Sequence, residues 1–133
     1  MTEAEFWELI SMVDSRPLED RDENGALGPL GEWLARALHA IDGKVWAENA
    51  GISGTSDDGF LYSRCYVVAK GRDFYEAIRS DPPRFPKSVD CWCESLLYQH
   101  RSAWAALTGR EESEWPFETS VSFETGSHHE LWA

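Results

Sequence analysis

Apolar residues recur along most of this chain at helical rather than alternating spacing. Phe6, Trp7, Ile10 and Val13 fall on one helical face, and Thr2 followed by Glu5 forms a capping-box pattern ahead of them. That helix is expected to stop before Arg16-Pro17, because proline disfavours helical backbone at the residue preceding it. Leu30, Trp33, Leu34, Ala37, Leu38 and Ile41 give the clearest amphipathic stripe. Its end is expected at Asp42-Gly43, with glycine in the left-handed C-cap conformation. Lys44 to Ala50 reads as a short helix carrying Val45 and Trp46 and closed by Gly51. Residues 17–29 and 51–59, rich in turn formers, read as loops.

The stretch from Phe60 to Lys70 is almost continuously apolar and aromatic, a composition that also suits a buried strand. Its length, and the Gly71-Arg72-Asp73 stop-and-restart behind it, favour a helix. Phe74, Tyr75 and Ile78 pattern a further short helix. Pro82, Pro83 and Pro86 predict a rigid extended link over residues 81–89. Asp90 is the expected cap of a last long helix holding Leu96, Leu97, His100, Ala103, Trp104 and Leu107, up to Gly109. Beyond it, Trp115-Pro116-Phe117 and Val121-Ser122-Phe123 read as a short strand or an aromatic-packed tail. The expected fold class is mainly α: one multi-helix domain over residues 1–109 and an acidic, aromatic-containing extension over 110–133.

Charge changes this picture at the two ends. The net charge of −12 divides into −6 for residues 1–24, −6 for residues 111–133, and zero for the stretch between. Such a surface repels phosphate backbones, so nucleic acid is not an expected partner, whereas a basic protein is. No apolar run approaches the ~20 residues of a membrane helix. The start Met1-Thr2-Glu3-Ala4-Glu5 lacks the positive region of a signal peptide, and three cysteines fit a reducing compartment. A cytoplasmic protein is expected.

Candidate chemistry is sparse. Asp57-Asp58 invites a metal or acid–base reading, but the acids are adjacent and no glutamate stands at the offset of a calcium loop. Capping of the following helix by Ser56 or Asp57, with acids at its positive end, is the plainer account. Cys91-Trp92-Cys93 lacks the spacing of a zinc site, and no nucleophile elbow or phosphate-binding loop occurs. No metal, cofactor or catalytic residue is assigned. Trp115 and Trp132, outside the helical stretches, are candidate partner anchors.

Residues 56–72 carry a more specific signal. Ser56-Asp57-Asp58-Gly59-Phe60, then Arg64, Gly71-Arg72 and Asp81-Pro82, resemble a bacterial family catalogued as domain of unknown function 4240. Glu5 to Ile10, Trp46-Ala47 and Glu94 to Tyr98 are similar to its other segments in the same order, so the likeness runs over roughly residues 4–109. Ser63 and Tyr66 depart from the family's usual aromatics, and Pro83 follows Asp81-Pro82 where another Asp is common. The resemblance implies a small helical fold and no particular reaction.

Ser56, Asp57, Asp58, Gly59, Phe60, Arg64, Arg72 and Trp46, which the resemblance marks, together with Tyr62, form a candidate binding or structural motif. Two accounts of it stand side by side. Asp57 or Asp58 paired with Arg64 would lock the loop onto its helix. Alternatively, Arg64 meets a small anion in a pocket shared with Tyr62 and Trp46. The expected function is a non-catalytic protein acting by protein–protein contact, as a regulator or as an immunity protein blocking a basic toxin. The alternative is a small-molecule binder or enzyme at the Ser56–Phe60 loop. The oligomeric state is left open.

Overall fold

The computed structural model of the chain describes residues 1–13, 18 and 25–133. Helix α1 (Glu3–Met12) opens on the expected capping box: the Glu5 amide donates to Thr2 Oγ1 and the Thr2 amide donates to Glu5 Oε2. Two amide donors at the helix start are satisfied this way. Phe6, Trp7 and Ile10 are buried. The Arg16-Pro17 stop signal lies outside the described residues.

Helix α2 (Leu27–Ala40) begins earlier than its apolar stripe suggests, taking in Gly28-Pro29 from the expected loop. First-turn amides have no intrahelical partner, so a proline there forfeits no hydrogen bond. The other end differs as well. Ile41 leaves the helix, and Gly43 is extended at φ −153° instead of left-handed. Gly43 serves close packing: a Cβ there would lie 2.9 Å from both the Leu131 Cβ and the Trp46 ring. Helix α3 (Lys44–Asn49) follows, and Gly51 at φ +60° turns the chain into a 3-10 turn at Gly51–Gly54.

Helix α4 (Asp57–Ala69) settles the ambiguous apolar stretch as helix. Ser56 Oγ accepts the Gly59 amide at 3.0 Å, which makes Ser56 the N-cap, with Asp57 and Asp58 in the first turn. Eight of its residues are buried, among them Phe60, Leu61, Cys65, Val67 and Val68. α4 packs against α1, α2, the helix that follows it, and the turns at 51–54 and 94–97. A helix surrounded in this way is apolar on most of its sides, which is why its sequence shows no clean stripe. Gly71 at φ +103° separates it from α5 (Arg72–Ser80).

The proline segment differs from expectation, since Pro82–Arg84 form a 3-10 turn. A φ locked near −65° suits that turn as well as it suits an extended link. The last helix also starts late. A 3-10 turn at Glu94–Leu97 precedes α6 (Gln99–Thr108), so Asp90 caps nothing. The cause is Cys93, whose amide donates to the Tyr62 carbonyl of α4 at 3.1 Å and so takes the chain out of helical register. α6 ends on Gly109 at φ +70°.

Residues 110–133 contain two 3-10 turns and no strand. They return across the body, with Trp115 against Trp104 and His100, and Trp132 against Phe60. The fold is thus a single mainly α, multi-helix domain with an irregular C-terminal tail.

Candidate functional site

Arg64, on the most enclosed helix, is wholly buried. Its Nη1 donates to the Leu38 carbonyl at 3.0 Å and its Nη2 to Thr125 Oγ1 at 3.0 Å. The guanidinium covers the Phe60 ring, with Cζ 4.8 Å from the centroid. Its counter-charge is Asp42, also wholly buried, at 3.9 Å from Nη2. Neither Asp57 nor Asp58 fills that place. Burial pulls the guanidinium below its ordinary pKa, while Asp42 opposes the shift.

Asp42 is the residue the sequence hid. Its Oδ1 accepts the Gly126 amide at 3.1 Å and the Trp132 indole N–H at 2.9 Å. Its Oδ2 accepts the His128 amide at 3.0 Å and the Ser127 hydroxyl at 3.4 Å. One carboxylate at the end of α2 therefore gathers four donors from the C-terminal tail. Around it, His128 Nδ1 lies 2.7 Å from the His39 carbonyl, His39 Nδ1 lies 2.9 Å from the Ser122 carbonyl, and the two imidazoles stack at 4.0 Å. Thr125 Oγ1 donates to the Asp57 carbonyl at 2.7 Å, which ties the α4 start into the same junction. The sequence signal was faint: an Asp-Gly pair at a helix end reads as a turn.

The remaining motif residues divide. Phe60 is in the core, and Gly59 sits inside the first turn of α4 instead of forming a turn of its own. A Cβ at Gly59 would lie 2.6 Å from the Ser53 carbonyl oxygen and 3.0 Å from Trp92, so this position permits close packing. Trp46 is buried and donates to the Ile78 carbonyl at 3.0 Å. Arg72 is exposed and reaches Glu3 at 3.2 Å. Ser56, Asp57 and Asp58 are exposed. Trp115 and Trp132, expected as free anchors, both turn inward onto protein partners.

A second cluster lies at the surface where residues 91–98 cross α4. The rings of Tyr62 and Trp92 meet edge-on with centroids 5.7 Å apart, and Tyr98 donates to Glu94 Oε1 at 3.4 Å. Trp92 is 40% exposed and Tyr98 46%. Desolvation first, then the Glu94 carboxylate and the nearby Asp58 charge, push the Tyr62 hydroxyl above its ordinary pKa. The phenol therefore stays neutral, and the local field is negative. Trp92 itself carried no signal beyond its position between two cysteines.

Among the described residues, no group of three or more His, Cys, Asp or Glu could hold a metal ion, and no helix is long and apolar enough to cross a membrane. Cys65, Cys91 and Cys93 are free thiols, and burial pushes the Cys65 thiol far up, which keeps it protonated and inert.

These features define a helical domain whose C-terminal segment is fastened by a buried arginine–aspartate junction. The chain belongs to a family described as protein of unknown function (DUF4240), whose model matches residues 31–106. Asp42 and Arg64 lie within the matched span, and all the tail groups they hold lie beyond it. No curated protein and no solved structure matches the chain.

Proposed function

We propose that this protein is non-catalytic and acts by binding a basic protein partner, as a regulator or an immunity-like protein. The observation that carries the reading is the acidic C-terminal tail held in place on the body. Its six carboxylates are not spread over a loose end: the segment is fastened at Asp42 by four donors and again at Glu32, which accepts the Ser120 amide at 2.6 Å. Desolvation raises the Glu32 carboxyl, but Ser120 and Arg36 together bring it below its ordinary pKa, so an ionised carboxylate accepts the Ser120 donors at neutral pH. Fixed negative charge steers a basic partner and sets its orientation at little entropic cost.

The test is cross-linking in the host cell, followed by reconstitution with the purified partner at rising salt. A basic partner whose affinity falls with ionic strength supports the reading. A partner that is acidic, or one held equally tightly at high salt, sinks it.

A ligand-binding role is the second reading. The enclosure of Arg64 argues against the Ser56–Phe60 loop as its location. A groove of about 220 Å³ between α1, α2 and α5, walled by Trp7, Trp33 and Tyr75 and edged by Arg36, Glu76 and Arg79, is better shaped for it. Metabolite screening by thermal shift decides between groove and no groove, with Trp33→Ala as the control that must abolish any shift.

A further inference from the structure

We infer that the Tyr62–Trp92–Tyr98 face is a docking notch for an arginine side chain in a basic protein segment. The inference rests on the proposed basic partner and names the place and the chemistry of its anchor.

Three aromatic rings of this protein lie under a cation of its own. Arg36 lies over Trp33 at 5.4 Å, Lys70 over Tyr66 at 5.9 Å, and Arg64 over Phe60 at 4.8 Å. A few acids are paired with a cation in the same way, as in Arg72–Glu3 and Arg36–Glu32. At the notch neither is so. Among the described residues, no cation lies over Tyr62, Trp92 or Tyr98, and no Lys, Arg or His pairs with Asp58 or Glu94. Partly exposed rings next to carboxylates that have no cation, Glu94 being met only by neutral phenols, form the complement of a cation, and this is the charge argument for the occupant.

Arginine fits better than lysine. A guanidinium can lie flat on the Trp92 ring while its edge donates to Glu94, using stacking and forked hydrogen bonding together; an ammonium offers a single point charge. Structural support makes the notch rigid. The Cys93 amide is bonded to the Tyr62 carbonyl, and the Trp92 ring rests against Gly59 of α4. Rings that are already fixed lose little freedom on binding. Asp58 contributes less than Glu94, because it sits at the positive end of α4, which offsets part of its charge.

The experiment titrates isotope-labelled protein at low salt with capped nonapeptides of arginine, lysine and glutamine. The arginine peptide is expected to shift the Trp92 indole resonance, assigned with Trp92→Phe. It should also bind more tightly than the lysine peptide, with the glutamine peptide silent. Trp92→Ala is expected to weaken the arginine peptide about tenfold and to remove the arginine preference. Glu94→Gln is expected to weaken it about threefold. Glu118→Gln with Glu130→Gln, exposed on the tail, should weaken arginine and lysine peptides alike. If the arginine peptide binds with shifts confined to the tail, or Trp92→Ala leaves its affinity unchanged, the notch is wrong and the basic-partner reading survives. Equal binding of arginine and lysine peptides overturns the arginine assignment. No binding of either peptide removes the basic-partner reading itself.

Discussion

Arg64 and Tyr62 stand two residues apart on α4 and so point to roughly opposite sides of it. On the Arg64 side, charge is enclosed: the guanidinium has an aromatic floor, two neutral acceptors and a carboxylate, and that carboxylate is filled by tail donors. On the Tyr62 side, rings and carboxylates are assembled with equal order but left facing solvent. The contrast separates two uses of the same residue types. A buried ion pair whose carboxylate is filled by tail donors holds a fold in one arrangement, although Arg64 Nε itself finds no partner, and an open one of half its members recruits the missing half from elsewhere. The family-marking segment spans both, since Ser56 to Arg64 starts the helix that serves each side.

The comparison is broken most severely from the enclosed side. Arg64→Met keeps much of the side-chain volume but leaves Asp42 as a buried charge without its counter-ion. A loss of about 3–5 kcal/mol is expected, measured by urea unfolding at neutral pH. Amides of residues 120–133 should lose hydrogen-exchange protection before those of α4, because the tail is held through Asp42 and Thr125. A loss below about 1 kcal/mol would mean that the junction is not what fastens the tail.

A second break comes through pH. His100, buried on α6 against Trp115 and α2, has its pKa lowered to about 4, chiefly by desolvation. The unfolded chain takes up this proton near the ordinary value of 6.5, the folded chain only near 4. Stability is therefore full above 6.5 and falls as the pH drops from there toward 4, by on the order of 3 kcal/mol. His100→Gln should flatten that part of the profile and leave the arginine-peptide affinity untouched at neutral pH. A variant profile as steep as the parent's would assign the acid sensitivity to other groups.

Gly59→Ala acts where the two sides meet. The added methyl would lie 2.6 Å from the Ser53 carbonyl oxygen, which is backbone and cannot swing aside, and 3.0 Å from the Trp92 ring. A cost of about 1–3 kcal/mol is expected by thermal or urea unfolding, together with a displaced Trp92 indole resonance. A neutral substitution would show that the 51–54 turn is free to retreat, and the rigidity argued for the notch would fail with it.

Much of this architecture is legible from residues alone, for reasons that are local. Thr2 with Glu5, Ser56 before two acids, and the glycines at 71 and 109 are signals that act within one helical turn, and each marks the boundary it suggests. Two departures, the early start of α2 at Gly28-Pro29 and the turn at Pro82–Arg84, come from local proline geometry, and the others are long-range. Gly43 is shaped by Leu131, the start of α6 is delayed by a bond from Cys93 to Tyr62, and Trp132 turns inward because Asp42 waits for it. Asp42 illustrates the limit best: its five interactions reach residues 22 to 90 positions away, and no spacing rule connects them. Arg64 was singled out by resemblance, but its partner could be found only in three dimensions.

The smallest expected effect on stability is also the one that sharpens the comparison furthest. Trp92→Ala removes a ring that is 40% exposed and meets Tyr62 edge-on. An exposed substitution commonly shifts stability by no more than about 0.5 kcal/mol, and an aromatic pair adds about 0.5–1.5 kcal/mol. A total near 1 kcal/mol, measured by urea unfolding, would leave the domain folded and the Arg64 side intact. If Trp92→Ala instead costs as much as Arg64→Met, the ring is a keystone of the fold, and its exposure is incidental to binding. A mild cost joined to a loss of arginine-peptide binding would separate the two sides of α4 by function: one closes the molecule, and the other faces outward for a partner.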